Sequence, residues 1–309
     1  GRIVPIYRLT EGITQRLLRR LVSDLADALE ATALEDPLPL ALRAARGLPP
    51  LAEALGEVHF PPSLEAAGHA RTRFAYEELL LLQLTVLRER VARLHKERGI
   101  VHTINGPALR GLGATLPFSL TNAQERCISA ILRDMASPRP MCRLVQGDVG
   151  CGKTIVALHA IAAAVDGGFQ AAIMAPTEIL AEQHFRTFRA WFEPLGIEVA
   201  WLAGKLKGKA RLDTKAALLD GRAQVVVGTH ALFQDKVVFK RLGLAIVDEQ
   251  HRFGVEQRLS LARKGGEGGD ASTQPHQLMM SATPIPRTLA MSYYADLDVS
   301  VIDELPPGR

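Results

Sequence analysis

At 309 residues the chain is long enough for about two domains with a substantial buried core. Its 47% apolar and 23% charged content excludes a disordered, collagen-like or fibrous protein. Its 37 basic and 33 acidic side chains leave a net +4, a slight basic excess that by itself says little about acidic partners.

Three cysteines, Cys127, Cys142 and Cys151, are too few and odd in number for a disulfide framework. Their spacing suits no zinc site, so a reducing compartment, the cytoplasm, is expected. The longest nearly apolar run, 79–87, falls well short of the roughly 18 residues that span a bilayer. No export signal opens the chain. It begins at Gly1 without methionine and stops at the linker-like Leu305-Pro306-Pro307-Gly308-Arg309, and we expect a piece of a longer protein.

The first third reads as all-helical. Residues 14–29 place Leu17, Leu18, Leu21, Leu25, Ala28 and Leu29 near one face, an amphipathic helix. Pro37, Pro39, Pro49 and Pro50 leave room only for short helices between them. A longer helix is predicted over 71–98, with Phe74, Leu81, Leu84, Val91 and Leu94 among its apolar positions and Gly99 ending it. The breaker-rich segment 105–117 marks a domain boundary, dividing a helical region, 1–115, from an α/β region, 116–309. Beyond it, short apolar runs at 142–146, 171–174, 199–202, 225–228, 244–247 and 278–280 alternate with helical stretches. That grammar predicts an α/β domain with a mostly parallel sheet. Residues 265–273, rich in glycine, are expected to form a mobile surface loop, and there is no internal repeat.

After the first strand comes Gly147-Asp148-Val149-Gly150-Cys151-Gly152-Lys153-Thr154, which satisfies G-x-x-x-x-G-K-[ST] in full, followed by an apolar helix. Glycines let the backbone wrap a polyphosphate with its N–H groups and the helix N-terminus pointing inward. Lys153 is placed to reach the β and γ phosphates of ATP, and the Thr154 hydroxyl to enter a Mg²⁺ shell. Cys151 sits where a helix N-terminus lowers a thiol pKa, which invites a redox reading; the plainer one is that any small residue serves there. A second apolar strand ends in Asp248-Glu249-Gln250-His251. Parallel strands deliver functional residues at their C-terminal edge, so Asp248 can hold Mg²⁺ and Glu249 can polarise an attacking water.

Asp248-Glu249-Gln250-His251-Arg252-Phe253-Gly254 resembles motif II of superfamily 2 helicases, and its extension through Gly254 resembles the RecG family of branched-DNA helicases. Ser281-Ala282-Thr283-Pro284-Ile285-Pro286-Arg287-Thr288-Leu289-Ala290 resembles motif III in the extended form shared with the transcription-repair coupling translocases. The resemblance runs over essentially the whole chain: Thr10-Glu11-Gly12-Ile13 and Tyr76-Glu77-Glu78-Leu79-Leu80 look like a helical connector, and 1–7 is expected to be the tail of a wedge domain before it. It implies a RecA-like P-loop motor domain that hydrolyses ATP with Mg²⁺ and remodels forks and Holliday junctions in recombination and DNA repair. The implied partners are branched and duplex DNA and single-stranded DNA-binding protein, with no membrane and a monomeric state. The family completes its site with arginines from a second RecA-like domain, so these residues alone are expected to bind nucleotide with weak or no turnover.

By the same resemblance Phe118 would stack on the adenine and Gln124 would bond its edge, since an amide is both donor and acceptor. The alternative is a helix cap at Thr121 with Phe118 as a core contact. Pro176 and Thr177 match motif Ia, Thr229 and His230 a later strand-end motif, and Gly204 and Lys205 open a basic loop. All are candidate DNA-phosphate contacts, against helix capping for Thr177 and a solvated surface for the loop. His251, Ser281 and Thr283 would couple hydrolysis to motion, against a structural buried role for His251. Two other readings stand beside this one: a transcription-repair translocase motor, and a non-catalytic, nucleotide-gated DNA-binding module.

Overall fold

The computed structural model describes residues 3–30, 34–96, 98–204, 206, 208–233, 237–248, 273–282 and 297–306. The chain divides into two compact units, Gly1–Val86 and Leu87–Arg309.

The first unit is helical: α1 (Gln15–Glu30), α2 (Leu40–Arg46), α3 (Leu51–His59) and most of α4 (Leu64–Lys96). Of the apolar stripe expected on α1, Leu17, Leu21, Leu25 and Ala28 stay exposed, while Leu18 and Leu29 are half-buried. Helix α4 starts at Leu64 rather than 71 because the Ser63 hydroxyl accepts the Ala66 N–H at 3.1 Å, an N-terminal cap that the periodicity does not show.

The second unit opens with the two-residue strand β1 (Arg98–Gly99), so Gly99 belongs to a strand rather than to a helix end. The breaker-rich segment folds as α5 (Pro107–Thr115), with proline at its start. Its first N–H groups are capped from a distance: both Asp166 carboxylate oxygens accept at 2.9 Å, from Ala108 and from Leu109. Then follow α6 (Asn122–Met135), β2 (Cys142–Gly147), α7 (Lys153–Asp166), β3 (Gln170–Met174), α8 (Glu178–Phe192), β4 (Val199–Leu202), α9 (Gly208–Asp220), β5 (Val225–Gly228) and β6 (Leu242–Asp248). The described residues end with β7 (Thr273–Gln274), β8 (His276–Ser281) and β9 (Asp298–Ile302). Apart from Thr273, the loop expected at 265–273 lies outside the described residues.

Strands β1 and β7 pair with each other, and the rest form a seven-stranded parallel sheet in the order β4-β5-β3-β6-β8-β2-β9. Successive residues face opposite sides, and both sides are covered. Val145, Ile173, Val227, Ile246 and Met280 pack with α5 to α8, while Leu144, Ala172, Val226, Val247 and Met279 pack in a second cluster that includes Leu218 of α9. That double burial is why the inner strands read as largely apolar runs; β4, at one edge, is mostly half-buried. Strand β9 was missed because it is a mixed edge strand, tied down by Arg143, which donates to Ser300 and pairs with Asp134.

Under the opposite end of the sheet lies a pair of buried histidines. The His276 Nδ1 accepts the Met141 N–H at 2.8 Å, so its Nε2 carries the proton and donates to the Ile100 carbonyl at 2.6 Å. His102 packs edge-on to Phe169, 5.0 Å between ring centres, and beside His276. Neither His102 nitrogen has a hydrogen-bond partner, and the Gly243 backbone only slightly offsets the cost of burying the ring. Burial, and then His276, push the His102 pKa down from 6.5 to about 3. A depressed histidine pKa means that the unfolded chain takes up protons first, so stability is lost as pH falls below about 6.5 towards 3. Urea unfolding at pH 7.5, 6.5 and 5.5 should show this loss, and the His102→Phe variant should be less sensitive by about 1.4 kcal/mol per unit below pH 6.5. Parallel curves for the two proteins would contradict it.

Candidate functional site

In a parallel sheet all C-terminal strand ends share one edge, and most of the described residues singled out by sequence lie along it. The registers pair Gln146 with Ser281 and Asp248 with Met280, so the ends of β2, β8 and β6 stand level. On the other half, Met174 pairs with Gly228 and Gly228 with Leu202, which levels the ends of β3, β5 and β4.

The glycine loop leaves β2 and enters α7, whose residues from Val156 to Ala164 are buried beneath the sheet. Gly152 caps this helix in the left-handed region, φ 92°, and a Cβ there would lie 2.2 Å from the Gln124 Nε2, so only glycine is accommodated. Lys153 curls back over its own loop, donating to the carbonyls of Gly147 at 2.7 Å and Asp148 at 3.0 Å. Phe118, Gln124, Val149, Gly150, Gly152, Lys153, Thr154 and Asp248 all line one cavity of about 770 Å³, a volume suited to a small ligand. Gly147 and Asp148 lie at the base of the same loop. Cys151 is buried, and burial pushes its thiol up despite the neighbouring Lys153, so the redox reading loses its chemical basis.

Gln124 is engaged on both sides. With Thr121 it forms a reciprocal capping box at the start of α6, and its Nε2 donates to the Cys151 carbonyl at 2.8 Å. The cap at Thr121 therefore exists, but Phe118 is no core contact: it is 46% exposed at the cavity wall.

At the end of β6 the Asp248 carboxylate is held by a residue the sequence reading missed. The His184 Nε2 lies 2.6 Å from the Asp248 Oδ2, and both side chains line the cavity. The available signal was helical: His184 follows Ala181 by three residues and precedes Phe188 by four, on the buried face of α8. Pro306 is a second unpredicted wall. Ser281 is fully buried at the end of β8, between the strands carrying Asp248 and the glycine loop. Glu249, His251 and Thr283 lie outside the described residues.

The other half of the edge carries Pro176 and Thr177 after β3, Thr229 and His230 after β5, and Gly204 after β4; Lys205 lies outside the described residues. Thr177 caps α8, accepting the Leu180 N–H at 3.3 Å. Thr229 is buried, so of its pair only His230 presents a side chain outward.

Mg²⁺ takes oxygen ligands and keeps much of its water and substrate-phosphate shell, so one hydroxyl and one carboxylate suffice from the protein. Thr154 and Asp248 on the same cavity fit that requirement. Among the described residues no group of three or more acidic, histidine or cysteine side chains forms a cage of the kind a tightly chelated metal would need.

A parallel sheet with a glycine loop after one strand and an aspartate at the end of another, both opening on one cavity, defines a RecA-like P-loop nucleotide-binding domain. The chain belongs to the DEAD/DEAH box helicase family, whose model matches residues 121–292. It is 52% identical over 316 residues to the ATP-dependent DNA helicase RecG of Escherichia coli K12, covering 99% of this chain and 44% of that protein. With RecG of Thermotoga maritima it shares 46% identity over 308 residues, 100% of this chain and 38% of the relative. The solved structure of RecG bound to a three-way DNA junction matches all of this chain and 40% of its own, at 43% identity and a TM-score of 0.78. The helicase MrfA bound to DNA matches at 15% identity and a TM-score of 0.51 over 67% of this chain and 31% of its own, a likeness of fold alone. The chain thus spans less than half the length of the curated relatives it matches.

Proposed function

We propose that this chain is the connector and nucleotide-binding half of an ATP-driven motor that remodels branched DNA. In this reading residues 1–115 serve as the connector and 116–309 as the first motor domain, a division of roles; α5 packs with α7. The observation that carries it is the division of one sheet edge: β6, β8 and β2 end at the cavity, while β3, β5 and β4 end in the segments matched to nucleic-acid motifs. Backbone amides and small polar groups at such ends contact phosphates without reading sequence, as a translocating motor requires.

In the nucleotide half, Lys153 and the loop amides bind the phosphates and Phe118 covers the base. Thr154 and Asp248 hold Mg²⁺, which when bound neutralises charge developing on the phosphates. Glu249 orients the attacking water, and His251, Ser281 and Thr283 carry the change at the phosphates across to the DNA edge. Pro176, Thr177, Gly204, Lys205, Thr229 and His230 supply that edge. The same reading makes the parent protein a monomeric enzyme of the cytoplasm, acting in recombination and repair of damaged DNA beside single-stranded DNA-binding protein. None of the described helices is long and apolar enough to cross a membrane.

Every hydrolytic residue assigned here lies on one domain, whereas the family completes its site from two. The 309 residues are therefore expected to bind ATP, to hydrolyse it slowly or not at all, and to unwind nothing. Equilibrium binding of a fluorescent ATP analogue, with phosphate release measured with and without forked DNA, tests this. Absence of nucleotide binding would overturn the motor assignment, and robust DNA-stimulated hydrolysis would overturn the two-domain requirement.

A further inference from the structure

We infer that His184 is a positioning residue for Asp248, fixing the carboxylate that the proposed nucleotide site presents to Mg²⁺; the inference rests on that reading of the site. An aspartate at a strand end turns about a soft terminal torsion with a broad, two-fold profile, so its oxygens are not aimed by the backbone. Here one of them is held. The Asp248 Oδ2 meets the His184 Nε2 at 2.6 Å, and both side chains are 13% exposed. An ionised carboxylate only accepts, so the imidazole donates, and its proton is on Nε2.

The ring is itself held. It stacks on Phe188 one turn further along α8, 5.6 Å between ring centres and 17° between planes. Phe188 is fully buried, and Ala181 and Phe192 on the same helix face are buried with it. The order of support therefore runs from the core, through a stacked ring, to one carboxylate oxygen, with the carboxylate at the wall of the cavity that Lys153 and Thr154 share. Ligating carboxylates supported in this way keep their geometry when the metal arrives, and removing such a partner weakens metal binding by about 10- to 100-fold.

Placement on α8 adds a consequence. Thr177, the cap of this helix, belongs to the segment matched to a nucleic-acid motif, and His184 stands seven residues along, roughly 10 Å at helical rise. One rigid element thus has its start at the proposed DNA edge and its second turn at the proposed metal ligand.

The test is a titration of the 309-residue chain with mant-ADP, in saturating Mg²⁺ and in EDTA, with Mg²⁺ then varied at fixed nucleotide. Three variants separate the contributions: His184→Ala removes ring and donor, His184→Phe keeps the stack without the donor, and His184→Gln keeps a donor. The wild type should bind more tightly with Mg²⁺. His184→Ala and His184→Phe should need about tenfold more Mg²⁺ for the same effect, with the EDTA affinity unchanged, and His184→Gln should recover part of the loss. Thermal unfolding in EDTA identifies any variant that fails to fold, and His184→Phe, which preserves the packing, then decides. The inference is overturned if His184→Phe responds to Mg²⁺ as the wild type does, or more strongly, which would make the imidazole a competitor of the metal. A wild type that binds mant-ADP equally with and without Mg²⁺ overturns it too, while no binding at all by the wild type overturns the nucleotide-site reading beneath it.

Discussion

Lys153→Ala should weaken ATP binding by about 100-fold while leaving the fold intact. The ammonium is poised inside its own loop, bonded to the neutral carbonyls of Gly147 and Asp148 at 2.7 and 3.0 Å. A polyphosphate would offer it charged oxygens in place of neutral ones, and hydrogen bonds to charged groups contribute about 1.5–3 kcal/mol each. Two such bonds amount to roughly 3 kcal/mol, and each 1.4 kcal/mol is tenfold in affinity. The loop does not need the side chain to hold its shape, because Gly152 is set by its left-handed backbone and by Gln124, which donates to the Cys151 carbonyl. The melting temperature of the variant should therefore stay within about 2 °C of the wild type, a shift of roughly 1 kcal/mol for a chain of this size. Fluorescence titration with an ATP analogue reads the first quantity and a thermal scan the second. Equal affinities would show that the glycine loop is not a phosphate site; a large drop in melting temperature would show that the lysine is structural.

The second large effect is expected in the helical unit, where Arg73→Ala should destabilise the fold by about 3–5 kcal/mol, the range for breaking a buried ion pair by removing one partner. The Arg73 side chain is completely buried. Its guanidinium donates to the Pro49 carbonyl at 3.0 Å and to the Asp36 Oδ1 at 2.8 Å, and it also binds Glu77. Asp36 accepts in addition from the Leu38 and Leu51 N–H groups, each at 2.9 Å, and lies 3.2 Å from Arg43. One arginine thereby ties α4 to the segment before α2 and to the start of α3.

Partial burial by itself raises the Asp36 pKa, but the Leu38 and Leu51 donors and the Arg73 and Arg43 cations outweigh it, and the carboxyl sits below its usual 3.8. A depressed carboxylate stabilises above that value and stops doing so as pH falls through the lower, folded one, so the network is fully formed at neutral pH. Little else is available to compensate, since the buried apolar side chains among the described residues of this unit are Leu38, Leu48, Ala54, Pro61, Ala67 and Ala70. Amide exchange in α3 and α4, followed by mass spectrometry, should quicken strongly in Arg73→Ala. The double change Arg73→Met, Glu77→Gln should lose less, because Asp36 keeps Arg43 as its partner and no uncompensated charge remains. Exchange rates unchanged by Arg73→Ala would show that the network adds nothing to stability.

What could be read from the chain alone was whatever short-range chemistry encodes. The inner strands were legible because burial on both faces favours apolar runs, and the glycine loop because Gly150 and Gly152 adopt a left-handed backbone that favours glycine. The Thr177 cap was legible because its partner is three residues away. Asp248 could be assigned to the cavity edge because a parallel sheet puts the ends of its strands together. The helix at 107–115 was hidden because its cap, Asp166, comes from 58 residues downstream. Strand β9 was hidden because it is a half-buried edge strand that carries Ser300, which accepts from Arg143, and so gives no unbroken apolar run. Gln124 could be expected at the nucleotide site, but not as a strut between α6 and the loop.

His184 and Asp248 are 64 residues apart, and no periodicity links a histidine on a helix face to an aspartate at a strand end. Local backbone preference and hydrophobic spacing act over a few residues, so they determine the elements and the motifs. Which side chains those elements bring within 3 Å of one another depends on strand order and helix packing, and only the folded chain decides that.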